Sequence, residues 1–162
     1  MISVLFVCLG NICRSPMAEA VFRQQLKERQ MEHIIEADSA GTGDWHLGKP
    51  PHEGTRSLLE RYGIPYDGIR ARQVRIDDYN DYDYIVCMDS NNERDVRQLF
   101  GSKSDGHTKV FKFMELLPEI KTDDVPDPYY TGNFDEVYDL VSQGCSRLLD
   151  KICEEQLNRT EA

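Results

Sequence analysis

The chain has 162 residues, 40% of them hydrophobic, which suits one domain with a proper core and gives no reason to expect a second. Against 29 acidic residues stand 19 basic ones, a formal charge of −10 with no basic patch, which excludes nucleic acid and anionic membrane as expected partners. No run is long enough to span a bilayer, no leader pattern precedes the first apolar run, and an odd count of five cysteines fits free thiols in a reducing cytoplasm better than a disulfide framework.

The first element is Ile2-Ser3-Val4-Leu5-Phe6-Val7, where β-branched and aromatic residues predict a buried strand. Gly10 and Asn11 follow, and both tolerate left-handed backbone, so the chain can curl between Cys8 and Arg14. Ser15-Pro16 then opens a helix, with Ser15 in the cap position and proline in the first turn. From Pro16 to about Arg29, Ala18, Val21, Phe22 and Leu26 recur at helical spacing, with charges on the other face. A second strand is expected over Ile34–Ser39. The segment from Ala40 to Pro51 carries too many glycines and prolines for regular structure.

A helix through Ser57–Tyr62 stops at Gly63, and Tyr84–Met88 is the third strand. Ser90 and Glu93 have capping-box spacing for a helix ending at Phe100, and Lys109–Phe113 is the fourth strand. The clearest helix is the last, because Phe134, Val137, Tyr138, Val141, Cys145, Leu148, Leu149 and Ile152 keep a three-four rhythm. Residues after about Leu157 are expected to fray. Alternating strands and helices predict a single three-layer α/β/α domain with a four-stranded parallel sheet, ligands binding at the carboxyl ends of the strands.

The chemistry is concentrated in the loop Cys8-Leu9-Gly10-Asn11-Ile12-Cys13-Arg14-Ser15. A curled loop at a helix N-terminus converges its backbone N–H groups on one point, where the helix dipole also favours an anion. No Gly-Lys-Ser/Thr ending marks it as a nucleotide loop. Instead a thiol opens it and a guanidinium closes it, so that Cys8 can attack and Arg14 can clamp equatorial phosphoryl oxygens with a planar fork. The same surroundings are expected to favour a Cys8 thiolate. This describes phosphoryl transfer to sulfur with no metal and no cofactor, and the four histidines show no ligand constellation.

Expelling an aryl oxide of pKa near about 10 benefits from a proton donor. Asp123, Asp124 and Asp127 cluster between the fourth strand and the last helix, and Asp127 alone is held between two prolines, Pro126 and Pro128, that fix its backbone. Cys13, inside the curl, is a candidate partner for a reversible Cys8–Cys13 disulfide, or else a small buried hydrophobe. Cys87, Cys145 and Cys153 read as core or helix residues.

The run Cys8 to Pro16, so near the N-terminus, resembles the signature of the low-molecular-weight protein tyrosine phosphatases. Asp38-Ser39-Ala40-Gly41-Thr42, Ala71-Arg72-Gln73, Cys87-Met88-Asp89 and the Asp127 loop occur in that family's order, so the resemblance covers nearly the whole chain. It implies strand order 2-1-3-4, a phosphatase domain over residues 1–157 with a tail at 158–162, and phosphotyrosine proteins as substrates of a monomer or weak homodimer. It further implies that Asp127 is the general acid, that Asn11, Ser15 and Ser39 support the loop, and that Trp45, Tyr129 and Tyr130 form a substrate rim.

One departure is visible: many relatives have a histidine supporting the loop asparagine where this chain has Ile69, so Asn11 must be held some other way. Among rivals, phosphoarginine phosphatases of the family carry threonine in place of Ile12, so the bulkier apolar residue favours tyrosine. Thioredoxin-coupled arsenate reductases need two further cysteines in a segment where this chain has none, between Cys87 and Cys145. A phosphate-binding module without turnover would need neither nucleophile nor acid.

Overall fold

Four parallel strands, β1 (Ile2–Cys8), β2 (Ile35–Gly41), β3 (Tyr84–Cys87) and β4 (Lys109–Lys112), form one sheet in the order β2-β1-β3-β4 in a computed structural model that describes residues 1–101 and 106–157. That is the expected order. β1 is central and buried on both faces, because parallel sheets are covered by helices on both sides. Val4, Phe6 and Cys8 join one core cluster and Leu5 and Val7 the other. Pairing runs from Ile2↔Ile35 to Cys8↔Gly41 and from Val4↔Tyr84 to Val7↔Cys87, so all three strands end at one edge.

The larger core lies under α1 (Arg14–Glu28), α2 (Glu53–Arg61) and α6 (Phe134–Ile152). The apolar stripe read in the last helix is buried as expected, with Val137, Val141, Cys145, Leu148, Leu149 and Ile152 in the core. Gly144 lets α6 cross the Phe113 ring: a Cβ there would lie 2.2 Å from ring carbons. On the opposite face, Tyr79 of the short α3 (Asp78–Asp81) and Val96 and Phe100 of α4 (Ser90–Phe100) close the smaller core. The one-turn α5 (Pro128–Thr131) precedes α6.

Several boundaries differ from the sequence expectation, each for a local reason. Helix α1 begins at Arg14 with Cys13 as its cap residue, so Ser15 is inside the first turn and does not cap the helix. Its polar face is not all solvated either, since Glu19 is buried. β2 continues past Ser39 to Gly41, because Gly41 exchanges backbone bonds with Arg72 and Val74 on its free edge. α2 starts four residues early, where His52 Nδ1 accepts the N–H of Gly54, a cap outside the usual Ser/Thr/Asp/Asn set.

The capping box of α4 lies one residue before the expected one: Asp89 accepts from Asn92 N–H at 2.8 Å and Asn92 Oδ1 accepts from Asp89 N–H at 3.2 Å. α3 and a 3₁₀ turn at Phe113–Leu116, which takes over the last residue expected of the fourth strand, carry no periodicity long enough to read. After Ile152 the chain widens into a π turn, Cys153–Leu157. Glu155 there accepts from Lys109, Lys151 and Tyr84. Burial works against that carboxylate, yet those hydrogen bonds hold it down at about 2. The tail at 158–162 lies outside the described residues.

Candidate active site

β1 delivers Cys8 to the carboxyl edge of the sheet, and α1 begins at Arg14, so the loop between them curls over the first turn of a helix. Cys8 is buried; its Sγ accepts the backbone N–H of Asn11 at 3.3 Å and lies 3.0 Å from Ser15 Oγ. Asn11 makes the turn with φ of 57°, a left-handed conformation that asparagine tolerates better than most residues. Its side chain is fully engaged. Nδ2 donates to Ser15 Oγ at 2.8 Å and Ser39 Oγ at 2.9 Å, and Oδ1 accepts from the backbone N–H of Arg72 at 2.9 Å. Ile69, buried in the larger core, contributes no polar atom, and the Arg72 backbone occupies Asn11 Oδ1 instead.

The rest of the loop is tied by backbone. Thr42 and Gly43 donate to the carbonyls of Cys8 and Leu9, and His52 donates to that of Ile12. Gly41 must be glycine, since a Cβ would stand 2.8 Å from the Leu9 carbonyl oxygen. Gly10 packs against His46.

Arg14 is 2% exposed. Its Nη1 donates to Asp89 Oδ2 at 2.7 Å and to the Val125 carbonyl at 3.0 Å, while Nη2 lies 3.5 Å from Asp127 Oδ2. Burial works against the guanidinium charge, but Cys8, Asp89 and Asp127 outweigh it and hold the group above its ordinary value. Because Val125 N–H also donates to the Met88 carbonyl, Arg14 joins the end of β3, the loop before α5 and its own helix at one point. Sequence reasoning missed Asp89 as an orienting group. Its signal was a lone carboxylate at the carboxyl end of a predicted central strand.

Of the three candidate aspartates, Asp127 alone lines the pocket with Cys8. It caps α5, Oδ1 accepting the Tyr129 N–H at 3.1 Å, which leaves Oδ2 toward Arg14. Asp124 is turned away, accepting from the backbone and hydroxyl of Ser90 and pairing with Lys112. Asp123 lies on another face, beside Lys121 and Thr122.

The pocket holds about 180 Å³ and is walled by Ile12, Trp45, His46, Tyr129 and Tyr130, with Cys8, Leu9, Gly10, Cys13, Arg14 and Asp127 toward its floor. Trp45 is 65% exposed and Tyr130 76%, so these rings form an outer collar rather than core. His46 was not expected at the rim; its place beside Trp45 in the sequence was the available sign. Phe134 packs against Ile12, Cys13 and Ala71 and stacks on His52, backing the pocket wall.

Cys13 is a buried free thiol, pushed up to about 12 by burial and by Cys8 and Asp127, so it stays protonated near neutrality. Cys87 and Cys145 are buried, their thiols pushed up by desolvation, and Cys153 lies half-buried against Met31. Among the described residues no cluster of His, Cys, Asp and Glu is arranged to hold a metal ion, and no helix is long and apolar enough to cross a membrane.

The arrangement can bind a tetrahedral dianion over the loop, present a sulfur nucleophile to it and offer a carboxyl group at the open side. A family model described as low molecular weight phosphotyrosine protein phosphatase matches residues 3–160. The chain is 53% identical to the Bacillus subtilis low molecular weight protein-tyrosine-phosphatase YfkJ over 96% of this chain and 99% of that protein. The crystal structure of YfkJ superposes with a TM-score of 0.92, covering 96% of this chain and 97% of that one at 52% identity. The Staphylococcus aureus low molecular weight protein-tyrosine-phosphatase PtpA is 46% identical, with 96% of each chain covered. A Drosophila arginine phosphatase is similar in structure, with a TM-score of 0.86 at 28% identity, covering 94% of this chain and 99% of that one.

Proposed function

The chain belongs to the low molecular weight phosphotyrosine protein phosphatase family, and from that membership we propose that it hydrolyses phosphotyrosine on proteins through a phosphocysteine on Cys8. It is an enzyme of the phosphate-ester hydrolases, a protein-tyrosine phosphatase of the low-molecular-weight type. What carries the assignment of residues is one observation: Arg14 and Asp127, 113 positions apart, meet at 3.5 Å over the pocket that Cys8 floors.

In the first step Cys8 Sγ attacks phosphorus, the bond to the tyrosyl oxygen breaks, and that oxygen takes a proton from Asp127. In the second, the Asp127 carboxylate takes a proton from water as its oxygen attacks phosphorus, and the P–S bond breaks to release phosphate and the Cys8 thiolate. Ser15 Oγ, 3.0 Å from Sγ, supports the sulfur as it leaves. The loop N–H groups other than that of Asn11, which faces Cys8 Sγ, and the Arg14 fork stabilise the equatorial oxygens throughout, and Asp89 aims that fork. Asn11 and Ser39 hold the loop in its curl.

Ile12 supports tyrosine over arginine as the phosphorylated residue, because an apolar side chain on the pocket wall suits an aryl ring better than a guanidinium. Trp45, Tyr129 and Tyr130 offer flat faces to that ring. Cys8 and Cys13 form the candidate protective disulfide. A single domain over residues 1–157, a cytoplasmic location and a monomer or weak homodimer complete the reading; five free cysteines fit a reducing compartment.

The test is initial phosphate release from a phosphotyrosine peptide and a phosphoarginine peptide side by side in excess EDTA, with Cys8→Ser as blank. Preference for phosphotyrosine is expected. Preference for phosphoarginine would keep the mechanism and reassign the substrate, and no turnover of either would leave a phosphate-binding module.

A further inference from the structure

The hydrogen bonds that hold the loop do not end at Asn11. Because Asn11 Oδ1 accepts from a backbone N–H, which can only donate, the orientation of its amide is settled and Nδ2 must face the two serines. Each serine oxygen therefore accepts from Asn11 and directs its single proton elsewhere. The Ser39 hydroxyl donates to Glu19 Oε1 at 2.6 Å, and the Ser15 hydroxyl faces Cys8 Sγ at 3.0 Å, the Ala40 carbonyl at 3.5 Å being the longer alternative.

Glu19 is 4% exposed and is the acceptor on which this series of bonds ends. Its other oxygen pairs with Arg23 one turn on, and Arg23 also donates to the Ala37 carbonyl. Burial pushes the Glu19 carboxyl up, with Arg23 and Ser39 acting against that. Arg23 is half-exposed, and a pair of that kind contributes little against the cost of burying a carboxylate, so the ion pair does not by itself explain why Glu19 is buried.

We propose that Glu19 is a positioning residue for the reaction of Cys8: by accepting the hydrogen bond of the Ser39 hydroxyl it keeps Ser39 Oγ an acceptor for Asn11, and so keeps the Ser15 hydroxyl donating to the Cys8 sulfur. Without that acceptor the buried Ser39 hydroxyl must turn to find another, which withdraws its oxygen from Asn11 Nδ2. Asn11 is the residue in the left-handed turn, so loosening it moves both its own N–H, which points at Sγ, and the Ser15 bond. Both donors stabilise the thiolate that attacks and the thiolate that leaves. The inference rests on Cys8 being the nucleophile.

The experiment uses Glu19→Gln, Ser39→Ala and the double variant, with p-nitrophenyl phosphate kinetics and the pH midpoint of Cys8 alkylation by iodoacetate. Glutamine fills the same volume, but its carbonyl is claimed by Arg23 and an amide donor is left facing Ser39. Glu19→Gln is expected to lower kcat about tenfold with KM within about twofold, and to raise the alkylation midpoint by about one unit. Arg14 and Cys13, which face Cys8, and Asp127 across the pocket are untouched in these variants.

The double variant should lose no more than Ser39→Ala alone, because the two act through one bond. Losses that multiply, or an unmoved midpoint, would overturn the proposal. Where Glu19→Gln does not fold, Glu19→Asp keeps a charge for Arg23 but draws the acceptor back from Ser39, and an unmoved midpoint there overturns it equally. Alkylation reads the thiolate without turnover, so a wild-type protein that releases no phosphate would refute the catalytic reading separately.

Discussion

Asp89→Asn separates the aiming of Arg14 from the stability of the helix that starts beside it. Asp89 does two jobs: Oδ2 accepts from Arg14 Nη1 at 2.7 Å, and Oδ1 accepts the N–H of Asn92 at the start of α4. Asparagine caps a helix about as well as aspartate, so the second job survives. The first loses its charge, and a hydrogen bond between charged groups is worth roughly 1.5–3 kcal/mol. Arg14 keeps the Val125 carbonyl at 3.0 Å but no longer has the partly buried Asp89 carboxylate behind it.

In the proposed mechanism Arg14 acts on the transition-state oxygens, so the variant should lose about 10- to 100-fold in kcat/KM with phosphotyrosine peptide, at a melting temperature close to wild type. Initial rates and the affinity for vanadate, a mimic of the transferring phosphoryl group, are the assays. Asp89→Ala should show the same kinetic loss plus about 1 kcal/mol of destabilisation from the missing cap. If Asp89→Asn retains activity within about twofold, Asp89 does not aim Arg14 and the pair is only an element of stability.

Asp127→Ala should slow substrates with poor leaving groups by about 10²- to 10⁴-fold while sparing activated aryl phosphates; equal loss on both would remove Asp127 as the acid, whatever its place in the pocket. The pH dependence of folding should contain a contribution from Glu155, whose carboxyl lies at about 2 in the folded chain against an ordinary 4.5. Its stabilisation is present above the unfolded value and is lost as pH falls through the folded one, so Glu155→Gln should cost about 1–2 kcal/mol at pH 7 and only a small fraction of that near about pH 2; denaturant midpoints at both pH values check this. Mild peroxide should convert Cys8 to a sulfenic acid that Cys13 captures as a disulfide. With the Cys13 thiol at about 12, capture should accelerate with rising pH, seen by intact mass as a loss of two hydrogens without dimer; a pH-independent rate would mean that Cys13 is not the resolving thiol.

The sequence by itself determined the reaction chemistry and the architecture that carries it. Cys8 and Arg14 are fixed relative to each other by a loop too short to arrange them otherwise, and the strand before it and helix after it follow from local patterning. The parallel sheet and the long stripe of α6 were legible for the same reason, since periodicity is a local property. Asp127 was legible as a candidate because prolines flank it, although Asp123 and Asp124 lie in the same segment. The fold bears that choice out geometrically, turning Asp124 to Ser90 and Lys112 and bringing Asp127 to Arg14.

Other contacts were decided only by tertiary structure, because each joins residues far apart in the chain with no spacing to announce it. Asp89 reaches Arg14 across 75 positions, the Arg72 N–H reaches Asn11 across 61, and Ser39 reaches Glu19 across 20. Glu19 is the instructive case. Helical periodicity places it on a charged, solvated face, but the β2 strand packs over that face and buries it. A local pattern records what a residue prefers near its neighbours, whereas burial and the direction of a proton depend on which distant strand comes to lie beside it.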